Sequence, residues 1–539
     1  MKRGTKITLI VLGVVFGICL AAFLCADIIV SRLVETEVQK TLGELPGCEA
    51  SCGDIHLRFF SGTASVEDLH FAYHGIPLHD KDSMGPGVDI SVDRVDVGRL
   101  FYSLLLRKQI FITDVHIKHP QVELWLDDEH PEHSFPQMRD TTLEDMDEVI
   151  ERFDLLHLRI KDACFQLHSL RTKLDLAVDS LSLGVNDLAY DSAFSYCDSV
   201  YSLSLAHAGV MLPDGMMRIE TRDLSQEDQG ALKLGYTRIS NTMPHKGLGD
   251  ILKEPCTWMD MQIEHVTTSA FNPIRKALAK DFSLGSLEVV VSHMDIFRDE
   301  RYAPKHPFPM PQEVLLSVPV TFTLGHVDAH IRKMDIAFAS TNSNCGKLQL
   351  GAIQAAVDNI TNRHGATLKA HGGCPVQKGK AKAAFTMTMN KACDFTMQLH
   401  AEQINADFLN PFIRPLVGIT FELALDTLDT RYAGNSQVAD GTFRMLYHGL
   451  EVTAHKEDQI PYTIVTKYAG TINTLANSLI PKSNPTAVDI HPRAYKIEWK
   501  RDPWKPFPLY LFGPCINGAV ETMLPGLYVH KEVKVQDLP

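Results

Sequence analysis

The residues best suited to chemistry lie in one acidic, histidine-containing segment, DDEHPEH. Its potential metal ligands are Asp127, Asp128, Glu129, His130, Glu132 and His133. Imidazole and carboxylate groups are ligands that divalent cations accept. Pro131 and Pro136 also mark the segment as a solvated loop, and acidic residues in such a loop commonly serve as polar surface. The loop interpretation is the stronger of the two, and we predict no metal site here.

Short catalytic motifs are missing from the sequence. The chain has no GxSxG, HExxH or GxxxxGK[ST] pattern, the signatures of common hydrolases and nucleotide-binding enzymes. We therefore expect a protein that is not an enzyme and needs no cofactor. A hydrolase with an unrecognised site is a distant alternative.

Charge and cysteine content narrow the function classes further. The formal charge of the 539-residue chain is −14, whereas broad nucleic-acid binding needs a basic surface that neutralises phosphates. We expect no nucleic-acid partner. Cys48 and Cys52 are the one close cysteine pair, and this spacing alone predicts either a small disulfide or two free thiols.

The most hydrophobic segment is an uncharged run from Ile7 to Ala26 that follows three basic residues. About 20 apolar residues suffice for a helix to cross a bilayer, and a basic flank favours a cytoplasmic N-terminus. The run predicts a single-pass membrane anchor, with a cleaved signal peptide as the alternative. The predicted bilayer residues are Ile7, Val11, Val15, Leu20 and Phe23.

Beyond residue 46, apolar residues recur at every second position, the period of a strand with one buried face. Val88, Ile90 and Val92 are one example. Many connections are too short for crossover helices. We predict a mainly β fold: after the N-terminal transmembrane helix comes an elongated, twisted antiparallel β-sheet, shaped like a gutter or a taco, with a few short helices and a C-terminal amphipathic helix.

The apolar face of this sheet has two interpretations. It forms a dry core if the sheet closes, and an apolar groove suited to acyl chains if the sheet stays open. Both require identical alternation, so the pattern does not choose between them. The groove candidates come from the alternating segments: Val289, Val291, Val320, Phe322, Leu324, Phe395, Met397, Leu399, Phe421 and Leu423.

These patterns divide the chain into a tip (1–6), an anchor and its extension (7–45), two β regions (46–260 and 261–460) and a C-terminal segment (461–539). Short helices are predicted at 142–155, 271–279 and 408–416. The last two belong to a degenerate repeat in which Asn272 and Asn410 are equivalent. The C-terminal stretch FPLYLFGPCINGAVETML predicts a helix that either caps the sheet or lies at a membrane interface.

Two blocks of the sequence resemble the AsmA-like family of Gram-negative envelope proteins, which is related to TamB-like and YhdP-like proteins. The first block is FFSGTASVEDLHFAYHG together with VDISVDRVDVGRLFYSLLLRKQIFITDVHIKHPQVELWLDD. The second is LNPFIRPLVGITFELALDTLDT followed by DGTFRMLYHGLEVT. The order of elements is similar along the whole chain, and no catalytic residue is available to carry over.

The resemblance implies a bridge-type lipid carrier held at the inner membrane, with its bulk in the periplasm. Its β-groove would bind or conduct phospholipid acyl chains and support outer-membrane biogenesis or integrity. The outer membrane, or its assembly proteins, would be further partners. The alternative function is an envelope scaffold or interaction protein with a closed β core.

Overall fold

The structure is a computed structural model that describes residues 48–533 with several gaps. The gaps are 59–61, 76–84, 99, 102–108, 128, 135–151, 192–199, 228–229, 271–280, 319, 341–343, 456–477, 479, 488–489 and 524–531. The chain forms two compact units. Unit 1 comprises Met1–Arg238 and Ala270–Asn272, and unit 2 comprises Ile239–Ser269 and Pro273–Pro539.

The described residues of unit 1 form mainly strands. They are β1 (Cys48–Ser51), β2 (Ile55–Arg58), β3 (Thr63–His74), β4 (Gly87–Val97), β5 (Leu100–Phe101), β6 (Gln109–Leu126), β7 (Arg152–Ser169), β8 (Asp175–Asp191), β9 (Val200–Met211), β10 (Met217–Gln226) and β11 (Ala231–Leu234). Short 3₁₀ turns lie at Pro131–Ser134 and Pro213–Gly215. Strand β12 (Thr237–Asn241) spans the division between the units.

The described residues of unit 2 combine longer strands with four α-helices. Its strands are β13 (Cys256–Ala270), β14 (Asp281–Asp299), β15 (Thr321–Ala339), β16 (Cys345–Thr361), β17 (Thr367–Val376), β18 (Gly379–Thr388), β19 (Phe395–Asn405), β20 (Ile419–Gly434), β21 (Val438–Ala454), β22 (Ala494–Lys500) and β23 (Glu532–Val533). Its helices are α1 (His245–Leu252), α2 (Pro311–Leu316), α3 (Asn410–Val417) and α4 (Phe507–Met523), and a 3₁₀ turn covers Ala406–Leu409.

Strands that follow one another in sequence generally pair side by side in each unit. Most pairs are antiparallel, but β6 pairs with β7 and β14 with β15 in parallel. The prediction of a purely antiparallel sheet is wrong at these two steps. A parallel neighbour requires a long return connection, and the chain after β14 supplies one that contains α2.

A line of β-bulges crosses unit 1. Asp68, His119, Asp162 and Ser180, in β3, β6, β7 and β8, have φ angles of 50°, 46°, 53° and 52°. The flanking ladder pairs place Asp68 and His119 on either side of Asp93 in β4, and His119 Nδ1 lies 2.9 Å from Asp93 Oδ2. A single-residue slip would turn every later side chain to the opposite face. Because bulges in successive strands lie together, the two faces stay in phase.

The apolar face of unit 1 consists of rows of directly paired residues. Three of these rows are Val95–Ile117–Ile160–Leu183–Leu203, Ile90–Val122–Phe165–Val178–Ala208 and Val88–Leu124–Leu167–Leu176–Val210. The β4 members of these rows are buried, whereas the β7, β8 and β9 members are half-buried. The core of unit 1 therefore lies beside β3 and β4.

Helix α4 covers the apolar face of the last strands of unit 2. Phe443 in β21 has no exposed surface and lies against Gly518 of α4. The Tyr432 hydroxyl in β20 donates a hydrogen bond to the Leu511 carbonyl, and burial raises the pKa of that hydroxyl. The C-terminal helix thus caps this part of the sheet.

Two predictions about helices need correction. Within the ranges described above, no helix is long and apolar enough to cross a membrane. This finding contradicts the predicted fold with an N-terminal transmembrane helix and the predicted single-pass location in the inner membrane. The predicted anchor positions Ile7, Val11, Val15, Leu20 and Phe23 themselves lie outside the described residues.

The shorter predicted helices have different outcomes. Helix α3 confirms the helix predicted at 408–416. The helix predicted at 142–155 is wrong at its end, because residues 152–155 belong to β7; its other residues, and those of 271–279 with Asn272, lie outside the described ranges. The domain boundaries at 46, 260 and 460 stay predictions.

Because α4 packs closely against the sheet, we expect replacement of its Gly518 by alanine to be destabilising. Replacing glycine by alanine inside a helix normally stabilises it by about 1 kcal/mol. A Cβ at Gly518 would overlap the Phe443 ring, and overpacking typically costs about 1 to 3 kcal/mol. We expect Gly518→Ala to lower the free energy of unfolding in a urea titration. Ile516→Ala, at a position that is 60% exposed, should change little; equal or greater stability of Gly518→Ala would contradict the packing.

Candidate functional site

Unit 2 carries a half-exposed apolar surface on β14, β15 and β16, named here the apolar trough. Its residues form four rows of direct neighbours: Val289–Ala329–Ala355, Val291–Ile331–Ile353, Met294–Met334–Leu350 and Ile296–Ile336–Leu348. All except the buried Val291 are half-exposed. At the usual strand spacing and rise, the rows extend about 10 Å across the strands and about 25 Å along them.

Helices pack at both ends of the apolar trough. At one end, Leu315 and Leu316 of α2 pack against the same buried cluster of Leu368, Met387 and Met389 as Val357 and Ile360. At the other end, Phe412 of α3 lies 6.2 Å from Phe338, ring centre to ring centre. The rows between these contacts keep part of their apolar surface accessible, which is a geometry that can accept a long apolar ligand.

The groove candidates from the sequence fall into three environments. Val289 and Val291 lie in the apolar trough. Phe322 and Leu324 begin β15, and Leu399 continues the Val289 row into β19. The remaining five lie away from the trough.

Four of these five belong to closed packing. Phe395 and Met397 are buried in a cluster with Tyr510 of α4. Leu423 is buried in a second cluster, against which Phe421 packs. Val320 lies before β15 and is 39% exposed.

Sequence reasoning missed most of the trough because a bulge interrupts the period-two pattern there. Ile331 pairs with Ile353, but the next pair is Lys333 with Gly351. Ala352, between these positions on β16, has a φ of 51°. Met334 and Ile336 consequently lie on the same face as Ile331 despite the odd spacing. Aligning β15 with β14 without a gap, Ile331 with Val291 and Met334 with Met294, reveals them.

A second half-exposed apolar area lies within unit 1. It consists of the β7, β8 and β9 members of the rows given above, among them Ile160, Phe165, Leu183 and Leu203. None of these side chains carries charge. Both units therefore present partly accessible apolar surface on one side of their strands.

The opposite face of unit 2 is polar and rich in histidine–carboxylate pairs. His400 Nδ1 lies 2.7 Å from Asp429 Oδ1, and the hydrogen bond to this carboxylate raises the pKa of His400 against the opposing effect of desolvation. His326 Nδ1 lies 2.6 Å from Asp358 Oδ1, and hydrogen bonds to Asp358 and Asp328 raise its pKa. Each pair is an electrostatic contact between strands.

Asp335 is a carboxylate on the same polar face with several partners. Its Oδ2 lies 2.7 Å from Lys333 Nζ and 2.8 Å from His293 Nε2. Although desolvation opposes ionisation, hydrogen bonds from Lys333, His293 and Gln349 hold the pKa of Asp335 at about 2. The carboxylate is ionised at neutral pH. Because these hydrogen-bond partners satisfy it, we assign Asp335 a structural role.

The acidic loop singled out in the sequence is held by an arginine. Arg171 Nε donates to Asp127 Oδ1 at 3.0 Å, and His133 Nδ1 lies 3.5 Å from Asp127 Oδ2. Over the part of the chain that the structure describes, no group of three His, Cys, Asp or Glu residues is arranged to hold a metal ion. No disulfide joins Cys48 to Cys52, contrary to the disulfide interpretation.

Comparison with protein-family models, with curated proteins and with solved structures gives no match to this chain. The apolar trough can do no covalent chemistry, since its rows contain only aliphatic and methionine side chains. It can bury apolar surface of a ligand. Any functional conclusion therefore depends on this geometry.

The histidine pairs predict a pH-dependent stability. A group whose pKa is raised in the folded state stabilises fully below its unfolded pKa, and that stabilisation is lost as pH rises through the folded pKa. We expect the free energy of unfolding to fall as pH rises beyond about 6.5, the ordinary histidine value, in urea titrations from pH 5.5 to 8.5.

The double variant H326Q/H400Q should show a shallower fall over this pH range. His306→Gln provides the control, because this exposed histidine has no ion pair within the described ranges. An identical slope in the double variant and the unmodified protein would contradict the role of these pairs.

Proposed function

We propose that this protein binds phospholipid acyl chains in the apolar trough of unit 2. The single observation that carries the proposal is the set of four half-exposed rows on β14, β15 and β16. Ordinary cores bury such residues fully, and a contiguous exposed apolar area commonly marks a binding surface. A bound ligand would cover the apolar surface of the trough that the fold leaves partly exposed.

The physical driving force is the hydrophobic effect. Each methylene group that moves from water into an apolar environment contributes about 0.8 kcal/mol. An acyl chain has many such groups and no hydrogen-bonding requirement, which suits rows that offer no polar side chain. Head groups would remain in water, because burying a charge without a partner is costly.

Length and shape favour a chain-like ligand over a compact one. The rows extend further along the strands than across them, and helices α2 and α3 pack at the two ends. The sequence resemblance to AsmA-like proteins points to the same ligand class and to passage of phospholipid along the groove. A shuttle that holds one lipid and a conduit that passes several are both compatible with this surface.

Substitutions in the centre of the trough test the proposal. We expect Ile331→Asp to weaken binding of a fluorescent fatty acid at least tenfold, because it places a charge where the chain would lie. Ala329→Trp should also weaken binding, by filling the space without adding charge. Native mass spectrometry of protein mixed with phosphatidylethanolamine gives an independent measure of bound lipid.

Two controls separate lipid binding from folding. Ile490→Asp changes a side chain that is 74% exposed and should leave binding intact, while Phe395→Asp changes a buried one and should unfold the protein. Circular dichroism spectra of the two trough variants should match those of the unmodified protein. No saturable binding by the unmodified protein, or binding unaffected by both trough variants, would refute the proposal and favour a scaffold.

A further inference from the structure

A large concavity lies on the polar face of unit 2, away from the apolar trough. It has a volume of about 1260 Å³ and is lined by β15 to β21. Its lining side chains His371, Lys382, Gln398, Asp429 and Arg444 alternate along their strands with the apolar positions. The concavity therefore opens on the side of the sheet opposite the trough.

Carboxylates at the concavity are already paired. Asp429 accepts a hydrogen bond from Arg444 at 2.8 Å and from the His400 ring at 2.7 Å. Glu402, beside it, lies 2.7 Å from Lys380. Hydrogen bonds lower the pKa of Glu402. Desolvation opposes ionisation of Asp429, but hydrogen bonds from Arg444 and His400 lower its pKa as well. Asp328, at the far edge, lies 3.0 Å from His326.

Two cations of the lining have no such partner. Lys382 and Arg431 are exposed and form no ion pair with the residues whose positions are known. The local excess of charge is positive, although the chain as a whole carries −14. A solvent-facing pair of unneutralised cations in a concave surface attracts anions.

The pairing register of β17 to β20 places Lys382 and Arg431 near a small residue, Ala384. Ala384 lies directly opposite His371 in β17 and Gln398 in β19. Lys382 is two positions before Ala384 on the same face, and Arg431 in β20 is opposite Gln398. Arg431 is thus two strand spacings from Ala384, about 10 Å, and Lys382 is about 7 Å from it along the strand. Both side chains are long enough to reach an anion placed above Ala384 and Gln398.

We propose that this concavity binds a phosphate-bearing polar molecule, with the phosphate above Ala384 between Lys382 and Arg431. The guanidinium group donates two parallel hydrogen bonds to a phosphate, and the ammonium group adds a point charge. The Gln398 amide and the His371 ring supply further polar contacts. The volume exceeds that of phosphate alone, so the ligand carries a polar body such as a sugar.

The phosphate could belong to a free phosphorylated sugar or to a lipid head group that reaches this face. This site does not depend on the acyl-chain proposal, because its residues point to the other side of the sheet. Its test therefore uses water-soluble probes first. Isothermal titration calorimetry with inorganic phosphate, glucose 6-phosphate and glucose measures binding to the unmodified protein at low ionic strength.

We expect saturable binding of glucose 6-phosphate, weaker binding of inorganic phosphate and none of glucose. The double variant K382Q/R431Q should weaken glucose 6-phosphate binding at least tenfold. The matched control K347Q/K500Q removes two exposed positive charges of the same unit outside the concavity and should weaken it less than twofold. Ala384→Glu, which keeps both cations, should abolish binding.

A second arm distinguishes the two sources of phosphate. Co-sedimentation with vesicles of phosphatidylcholine containing phosphatidic acid tests the lipid source. Sedimentation that requires Lys382 and Arg431 supports a head group as ligand, and its absence together with glucose 6-phosphate binding supports the free sugar phosphate. If neither probe binds, or if the two double variants weaken binding equally, the site is refuted. Circular dichroism of each variant establishes that it is folded.

Discussion

The alternation of side chains along each strand is the constraint on which the structure depends. A strand presents successive residues to opposite faces, so a shift of one residue exchanges the two faces completely. Long strands accumulate such shifts, and here they occur together. Asp68, His119 and Asp162 adopt left-handed backbone angles in β3, β6 and β7, a conformation that aspartate and histidine tolerate better than β-branched residues. The shared position of the bulges lets long strands keep one apolar and one polar face.

The two faces of the strands in unit 2 differ in chemical character. The apolar face offers surface for hydrophobic burial at Ile331 and its row, whereas the polar face carries cations, carboxylates and histidines in cross-strand rows. These two faces belong to the same strands and are separated only by the backbone of the sheet. Ligands of opposite character can thus bind to the same strands without sharing a side chain. The polar pairs also add an electrostatic contribution to strand pairing that depends on pH.

Whether apolar alternation becomes core or binding surface depends on elements outside the strands. The parallel step from β14 to β15 sends the chain through α2, whose preceding residue Met310 is completely buried against the cluster of Phe395 and Tyr432. Helix α4 covers the following strands in the same way. Where neither helix reaches, the same kind of strand face stays half-exposed. Helices α2 and α4 therefore divide the apolar face into a covered part and an accessible part.

The sequence by itself determined the strands and the side of each strand that is apolar, because a period of two is a local property that neighbouring residues reveal. It also predicted α3 and the C-terminal helix from local signals. It did not reveal the parallel steps, the trough members Met334 and Ile336 beyond a bulge, or the position of Lys382 relative to Arg431. Those features depend on register between distant strands and on which helix packs where. Only the tertiary structure decided that Phe395 is sealed beneath α4 while Ile331 remains accessible, since burial is set by long-range packing that alternation does not encode.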